Sequence, residues 1–395
     1  NSTISNLAFR VSYGLIAGLG AASNALAVFK NGVANRYNIG DRENIIEIDD
    51  LQNMDLTWEK VYETNLGVEL GLLKNRITLS MDLYQKNSKD LIDVVRTSGI
   101  GGQFVKLANN ASMVTKGIEL ALDTKNIKTD NFSWNTGVNF AYFDQKIQKL
   151  TYRPNVYNLV REVGGNVEGG ARNTLYSYDF RGLNDKGLPL FNLLNGSTDF
   201  EDIDFQQIDN ILSYLKKEGA VEPNITAGLS NTFRYKNWEL SALITAQAGN
   251  KIRKPSQYDS NYNDRSVFPK EMKNRWVHPG DEKTTNIPGI PDRRTVYEIG
   301  SNILRRVYNA YNYSTERVVD GSFVRMKNIS LSYAFPKNVL EQLKINNLTL
   351  RLQAANPFLI YSDKELNGQD PEFFRSGGVA YPVTAQYTFT INLGI

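Results

Sequence analysis

Residues Val61–Gln85 read VYETNLGVELGLLKNRITLSMDLYQ, and the architecture follows from their alternation. In alternate letters, Tyr62, Thr64, Leu66, Val68, Leu70 and Leu72 share one side, while Glu63, Asn65, Gly67, Glu69 and Gly71 share the other. After Leu73-Lys74-Asn75 the alternation resumes, with Ile77, Leu79, Met81 and Leu83 opposed to Arg76, Thr78, Ser80, Asp82 and Tyr84. A period of two over such lengths predicts strands with one greasy and one wet face. Two such runs joined by a few residues predict an antiparallel hairpin. The strands are long for a soluble sheet, whose mode is about five or six residues. About nine to eleven residues is the length that crosses a bilayer at a tilt.

Composition points the same way. Of 395 residues, 41% are hydrophobic, yet there are 21 tyrosines and 18 phenylalanines. Low greasiness with many aromatics fits a barrel that is wet inside and girdled by rings at its rims. The net charge of +3 gives no reason to expect a nucleic acid. No cysteine is present, which excludes disulfides, thiolate catalysis and Cys-based zinc sites, and a single histidine excludes multi-His metal sites. The sequence opens at Asn1 without a signal peptide and reads as a piece of something longer or a processed product. Val11–Phe29 is uncharged, but Gly14, Gly18 and Gly20 argue against a spanning helix, and Leu7–Leu15 already alternates as a strand.

Outward from the hairpin, the same pattern recurs. Strands are expected at about Leu7–Leu15, Val114–Asp123, Phe132–Tyr142, Asn224–Tyr235, Trp238–Ala248, Ser322–Phe335, Asn347–Ala355 and Thr384–Ile395. In the strand from Ser322 the alternation slips near Arg325 and Lys327, which suggests a bulge. Between strands, long connections alternate with tight turns. The long ones are about 16–59, 87–113, 144–222, 249–320 and 356–383. Within the third, Asp204–Lys217 has helical spacing through Ile208, Ile211, Leu212 and Leu215, and Arg172–Arg181 reads as a short strand extension.

Long loops on one side and tight turns on the other are the wiring of outer-membrane barrels. The expected fold is therefore all-β: a transmembrane antiparallel β-barrel with long extracellular loops. Its outward faces are nearly free of charge, as lipid demands, and an open edge cannot persist in hydrocarbon. Loops this large over so small a ring favour a partial barrel whose earlier strands precede Asn1.

Several runs resemble the SusC/RagA family of TonB-dependent transporters of Bacteroidota. These are Asp55-Leu56-Thr57-Trp58-Glu59 leading to Asn65-Leu66-Gly67-Val68, Lys116-Gly117-Ile118-Glu119-Leu120, Phe132-Ser133-Trp134, and Asn274-Arg275-Trp276 with Pro279-Gly280-Asp281. The most specific run is Asp320-Gly321-Ser322-Phe323-Val324-Arg325-Met326-Lys327-Asn328-Ile329-Ser330-Leu331-Ser332-Tyr333. Asn356-Pro357-Phe358, Gly368-Gln369-Asp370-Pro371-Glu372 and the strand Tyr387–Leu393 complete the series. The resemblance implies that residues 1–395 are about the last ten strands of a 22-stranded barrel, with a plug domain and the early strands lying outside this sequence. It implies residence in the outer membrane, a SusD-like surface lipoprotein as lid, contact with TonB through the missing N-terminal part, and energised import of oligosaccharides or oligopeptides. The final Ile395 departs from the aromatic with which such barrels usually end.

Candidate substrate contacts are the loop aromatics Tyr258, Tyr262, Trp276, Tyr311, Tyr313 and Tyr361, with Asp370 and Glu372. Aromatics beside carboxylates suit stacking on sugar faces or peptide side chains, while the plainer reading is loop packing or contact with a lid. Glu63, Glu69, Glu119 and Asp82 raise the alternative of a glycoside hydrolase, against the simpler reading of a hydrated lumen. His278 lacks a triad motif, and the Gly164–Gly170 run lacks the residues of a phosphate cradle. Asp199, Glu201, Asp202 and Asp204 do not have the spacing of a known calcium loop, so calcium has no support and no cofactor is expected. A self-contained ten-stranded structural or adhesive barrel is the other alternative.

Overall fold

The computed structural model describes residues 3–18, 26–35, 40, 42–50, 52–99, 105–258, 268–373 and 382–394. Its first strands are β1 (Ile4–Gly18), β2 (Val28–Asn35), β3 (Arg42–Asp50), β4 (Glu59–Leu72), β5 (Ile77–Arg96), β6 (Val105–Lys128) and β7 (Phe132–Leu150). Next come β8 (Thr174–Leu183), β9 (Pro189–Asn192), β10 (Leu215–Ala220), β11 (Ile225–Tyr235), β12 (Trp238–Ala248) and β13 (Lys251–Arg253). The last are β14 (Val318–Asp320), β15 (Phe323–Ala334), β16 (Asn347–Ser362) and β17 (Gln386–Gly394). Four α-helices punctuate the connections: α1 (Val156–Val160), α2 (Arg293–Ile299), α3 (Ser301–Asn312) and α4 (Lys337–Leu343).

Ten strands form one antiparallel sheet in the order β1-β4-β5-β6-β7-β11-β12-β15-β16-β17. This is a meander in which each strand pairs with the next wall strand in the chain. The opening hairpin is β4 and β5, with Leu66 opposite Leu83 and Leu70 opposite Leu79. Because paired positions share a face, the outward set runs unbroken across the sheet: Leu70, Leu79, Leu122, Val138 and Leu229 in one row. These side chains have no protein core over them. Leu66 is 42% and Ile391 59% exposed, where soluble strands would be covered.

One polar group interrupts this face. Thr136 and Trp134 both donate to the Asn231 side-chain oxygen, at 2.7 and 2.8 Å, and Asn126 donates to Thr136 at 2.7 Å. Backing one another, these groups avoid the cost of polar atoms left bare in hydrocarbon. They sit at the short-turn end, where Trp134 stacks on Phe233 and Trp238 lies against Tyr333.

Several boundaries differ from expectation. Much of the connection at 87–113 is strand, because β5 and β6 run well past the apolar band. Register shifts at Ser88/Leu91 and Leu91/Ile92, with Asp90 at φ 57°, scramble the alternation there. Asp204–Lys217 is no α-helix. Asn210 at φ 55° breaks the run, Ile211–Ser213 makes one 3-10 turn, and Leu215 starts β10. Ile211, Tyr214 and Leu215 are buried while Ile208 and Leu212 face out, so a helical stripe arises from a turn followed by a strand. The strand near Arg172–Arg181 is β8, which belongs to a separate sheet with β9 and β10 rather than to the wall. The slip near Arg325 and Lys327 is real: register shifts fall at Val324/Arg325 and Met326/Asn328. Val11–Phe29 lies partly in β1 and β2, its middle falls outside the described residues, and no described helix is long and apolar enough to span a membrane.

Candidate functional site: the crown and the inner wall

The connections β7–β11 and β12–β15 fold together into a crown at the long-loop end of the sheet. Its core joins Val156, Leu159, Tyr178, Phe191, Val307 and Tyr311, drawn from α1, β8, β9 and α3. Helix α1 is only five residues, yet a capping box formed by Asn155 and Asn158 satisfies its first turn. Helix α3 lays Leu304, Val307, Tyr308 and Tyr311 against this core at helical spacing.

Buried arginines lock the crown to the strand ends. Arg253 donates to the Tyr176 carbonyl at 2.8 Å, the Ser177 hydroxyl at 2.9 Å and the Ser314 carbonyl at 3.0 Å. Burial pulls its pKa down to about 10, opposed by the charge of Glu218, so it remains a cation at neutral pH. Burial likewise raises the Glu218 carboxyl. Arg317 donates to the Gln257 side chain at 3.1 Å, to the Pro255 carbonyl at 2.7 Å and to Glu271. Such groups are tolerated inside because their terminal guanidinium nitrogens find acceptors, although the Nε of each is left without one.

The candidate aromatics separate by position. Tyr258 and Tyr311 lie inside the crown, in edge contact at 5.7 Å, and Tyr258 donates its hydroxyl to the Pro288 carbonyl. Neither offers a face to a ligand, because a crown of this size needs large side chains for its own core. Trp276 is half-buried; its indole N–H reaches Glu282 at 3.1 Å and its ring covers Gly187 and Gly289. A Cβ at Gly187, already at φ +72°, would stand 2.3 Å from the ring, so the indole's seat depends on glycine. The adjoining turn is closed by Asp281, which accepts from the backbone of Val277 and His278 at 3.0 and 2.9 Å, leaving His278 exposed. Tyr313 is half-buried, edge-on to Phe205 and Tyr157 and beneath the Arg253 guanidinium. Tyr361 stands opposite Val324 in the register, on the outward apolar face of β16, and is exposed there rather than over the interior. Tyr262 lies outside the described residues.

Asp370 and Glu372 have a defined task. Asp370 is 1% exposed and holds the Arg325 guanidinium at 2.6 Å. Burial raises its pKa, but N–H groups of Glu372 and Val383 together with Arg325 outweigh burial and hold the carboxyl below its usual range. Glu372 bridges Arg325 at 3.4 Å and Lys327 at 3.3 Å. This network pins the connection between β16 and β17 to the upper end of β15. The alternation slip at Arg325 was the sequence signal for it; nothing in the local pattern marked Arg253 or Arg317 as buried.

The inner wall is polar and part of its charge is paired. Arg10 bridges Glu69 at 3.0 Å and Asp82 at 3.1 Å, and Lys86 meets Glu63 at 3.6 Å. Gly117 lets the Tyr84 ring lie flat across the strand, since a Cβ there would sit 2.3 Å from it. A groove of about 440 Å³ crosses this face beside Asp82, Glu119, Asn139, Thr226 and Gln247. Glu63 and Glu69, six residues apart along β4, are separated by roughly 20 Å and each is ion-paired. That is not the spacing of a glycosidase carboxylate pair, whereas Asp82 and Glu119 stand directly opposite each other on β5 and β6, with Asp82 held by Arg10. In the acidic turn, Asp199 and Asp204 each accept from the backbone two residues on, and Asp202 holds Ser197. Among the described residues no cluster of three or more potential ligands is poised for a metal.

A sheet apolar outside and polar inside, with tight turns at one end and a folded crown at the other, defines a sector of a transmembrane β-barrel wall. The sequence model of the family described as TonB dependent receptor-like, beta-barrel matches residues 4–356. TonB-dependent receptor P3 of Formosa agariphila is 26% identical over 94% of this chain and 36% of its own length. TonB-dependent receptor SusC of Bacteroides thetaiotaomicron is 27% identical over 87% of this chain and 32% of its own. The solved RagAB peptide transporter superposes with a TM-score of 0.75 at 24% identity, over 99% of this chain and 41% of that chain. The chain thus belongs to the TonB-dependent receptor β-barrel family, in the outer membrane, and is SusC/RagA-like. It spans about a third of the length of the curated relatives it matches. Those relatives are transporters and receptors, not enzymes.

Proposed function

We propose that this chain supplies about the last ten strands and the extracellular crown of an energised importer of oligosaccharides or oligopeptides. The observation that carries the reading is the wall itself: apolar outside, polar and partly ion-paired inside, and roofed by a packed crown at its long-loop end. β1 and β17 close no ladder with each other among the described residues. In hydrocarbon these edges need further strands, which the longer relatives have room to provide. The plug and the TonB-contacting segment belong to that remainder, and a SusD-like lipoprotein acts as lid over the crown. RagAB is described as a peptide importer in closed-closed and open-open states, and this chain superposes on the two with TM-scores of 0.76 and 0.73.

Substrate contacts fall to the half-buried Trp276 and Tyr313, to Tyr262 and to the inner wall. Tyr258 and Tyr311 support them from within, while Asp370 and Glu372 hold the last loop in place. The test is uptake of fluorescent oligosaccharides and oligopeptides by cells carrying the complete receptor, with and without the TonB complex and the candidate lipoprotein. Uptake that needs both partners supports the proposal. Uptake of neither class, or uptake indifferent to TonB, contradicts it.

A further inference from the structure

The outward face changes character abruptly at one corner. Leu66, Leu83, Ile118, Tyr142 and Ile225 stand opposite one another on β4, β5, β6, β7 and β11. One step toward the crown, the same face carries Thr64, Gln85, Lys116 and Asp144. Beyond lie Tyr62, Asn87, Val114 and Lys146, and then Lys60 opposite Lys89. Lys89, Lys116 and Lys146 are exposed, and the Lys89 ammonium lies 5.6 Å from the centre of the Tyr62 ring. The acidic groups facing them are Asp144, opposite Lys116, and Asp90, which holds Lys60 at 2.9 Å. Below this rim, no outward position of the ten strands carries a charge among the described residues.

Height is the second observation. At roughly 3.3 Å per residue, Lys116 sits about 7 Å, Lys146 about 13 Å and Lys89 about 20 Å along the tilted strands past the last apolar row. That is the level of lipid headgroups. At the turn-side rim the same face presents Phe132, Tyr235, Trp238 and Tyr333 instead, and at the crown-side rim of β15 and β16 it presents Val324, Phe358 and Tyr361. A general need for water at the rim would have spread charge around both edges. Here cations gather on four neighbouring strands at one end.

We propose that Lys89, Lys116 and Lys146 form a binding site for a phosphate-bearing lipid headgroup of the outer leaflet, its acyl chains lying on the apolar rows below. The proposal rests on the reading of the outward face as lipid-facing. It is tested on the complete receptor in nanodiscs of phosphatidylcholine doped with lipid A or with dephosphorylated lipid A, retained lipid being counted by native mass spectrometry. Each basic side chain near such a headgroup is worth roughly fivefold in binding. The triple variant K89Q/K116Q/K146Q should therefore lose on the order of 100-fold in lipid A retention. Dephosphorylated lipid A should bind the parent and the variant equally weakly, and K128Q/K236Q at the turn end should bind like the parent. Equal retention of both lipids by the parent overturns the site while leaving the lipid-facing wall intact. If the triple variant keeps lipid A but sheds a protein partner, the lysines are a protein-docking surface and the lipid site falls. Failure of any lipid, phosphorylated or not, to stay with the outward face would count against the wall reading as well.

Discussion

Wall and crown solve opposite problems with the same chain. In the wall, the greasy side chains remain uncovered by protein and the polar ones pair across strands, as Arg10 does with Glu69 and Asp82. In the crown, Tyr178, Val307 and Tyr311 are sealed inside and cations are carried into the interior with them. Hydrophobic burial thus stabilises the crown as in any soluble domain, whereas the wall depends on its ladder hydrogen bonds and on lipid as a solvent.

This contrast can be broken at chosen residues. Arg325→Ala strands the buried Asp370 carboxylate and should cost roughly 3–5 kcal/mol locally. Its expected result is rapid proteolysis of the connection between β16 and β17 while the heat-modifiable gel migration of the barrel is kept. Tyr311→Ala empties the crown core at a cost of about 3–5 kcal/mol; limited proteolysis should then open the crown while the wall strands stay protected. For the wall, Leu120→Arg on the outward side should cost about 2–4 kcal/mol and reduce the folded fraction in outer membranes. Its neighbour Ala121→Arg, facing the groove, should fold normally and slow uptake. The smallest substitution effect is Asn155→Ala at the α1 cap, about 1 kcal/mol, seen as a modest loss of protease resistance in the crown alone. Acidification offers a graded version of the first test. Asp370 titrates below its usual 3.8 in the folded protein, so its contribution is complete above that value. It is lost as the pH falls through the folded value, and protection of the last loop should fall with it.

Legibility followed the same division. The wall could be read because a period of two survives wherever one face meets a different solvent from the other. The alternation over Trp238–Ala248 coincides with β12 for that reason. The crown could not, because its elements are short and held by distant partners. Ile211, Tyr214 and Leu215 repeat at helical spacing without forming an α-helix, and the arginines that tie the loops are ordinary lysine-and-arginine letters in sequence. Among the candidate site residues, composition singles out the aromatic-rich connections, but only coordinates separate the half-buried Trp276 and Tyr313 from the sealed Tyr258 and Tyr311, or turn Tyr361 outward.

The most direct test exploits the absence of cysteine in this chain. Single cysteines are placed at Ile118, Glu119, Leu120, Ala121 and Leu122 of β6 in the complete receptor, any cysteine outside this chain being first replaced by serine. Each is challenged in outer membranes with a water-soluble, membrane-impermeant maleimide. Labelling is expected at 119 and 121, and protection at 118, 120 and 122. Uniform labelling, or the inverse pattern, would contradict a wall whose oily side faces lipid.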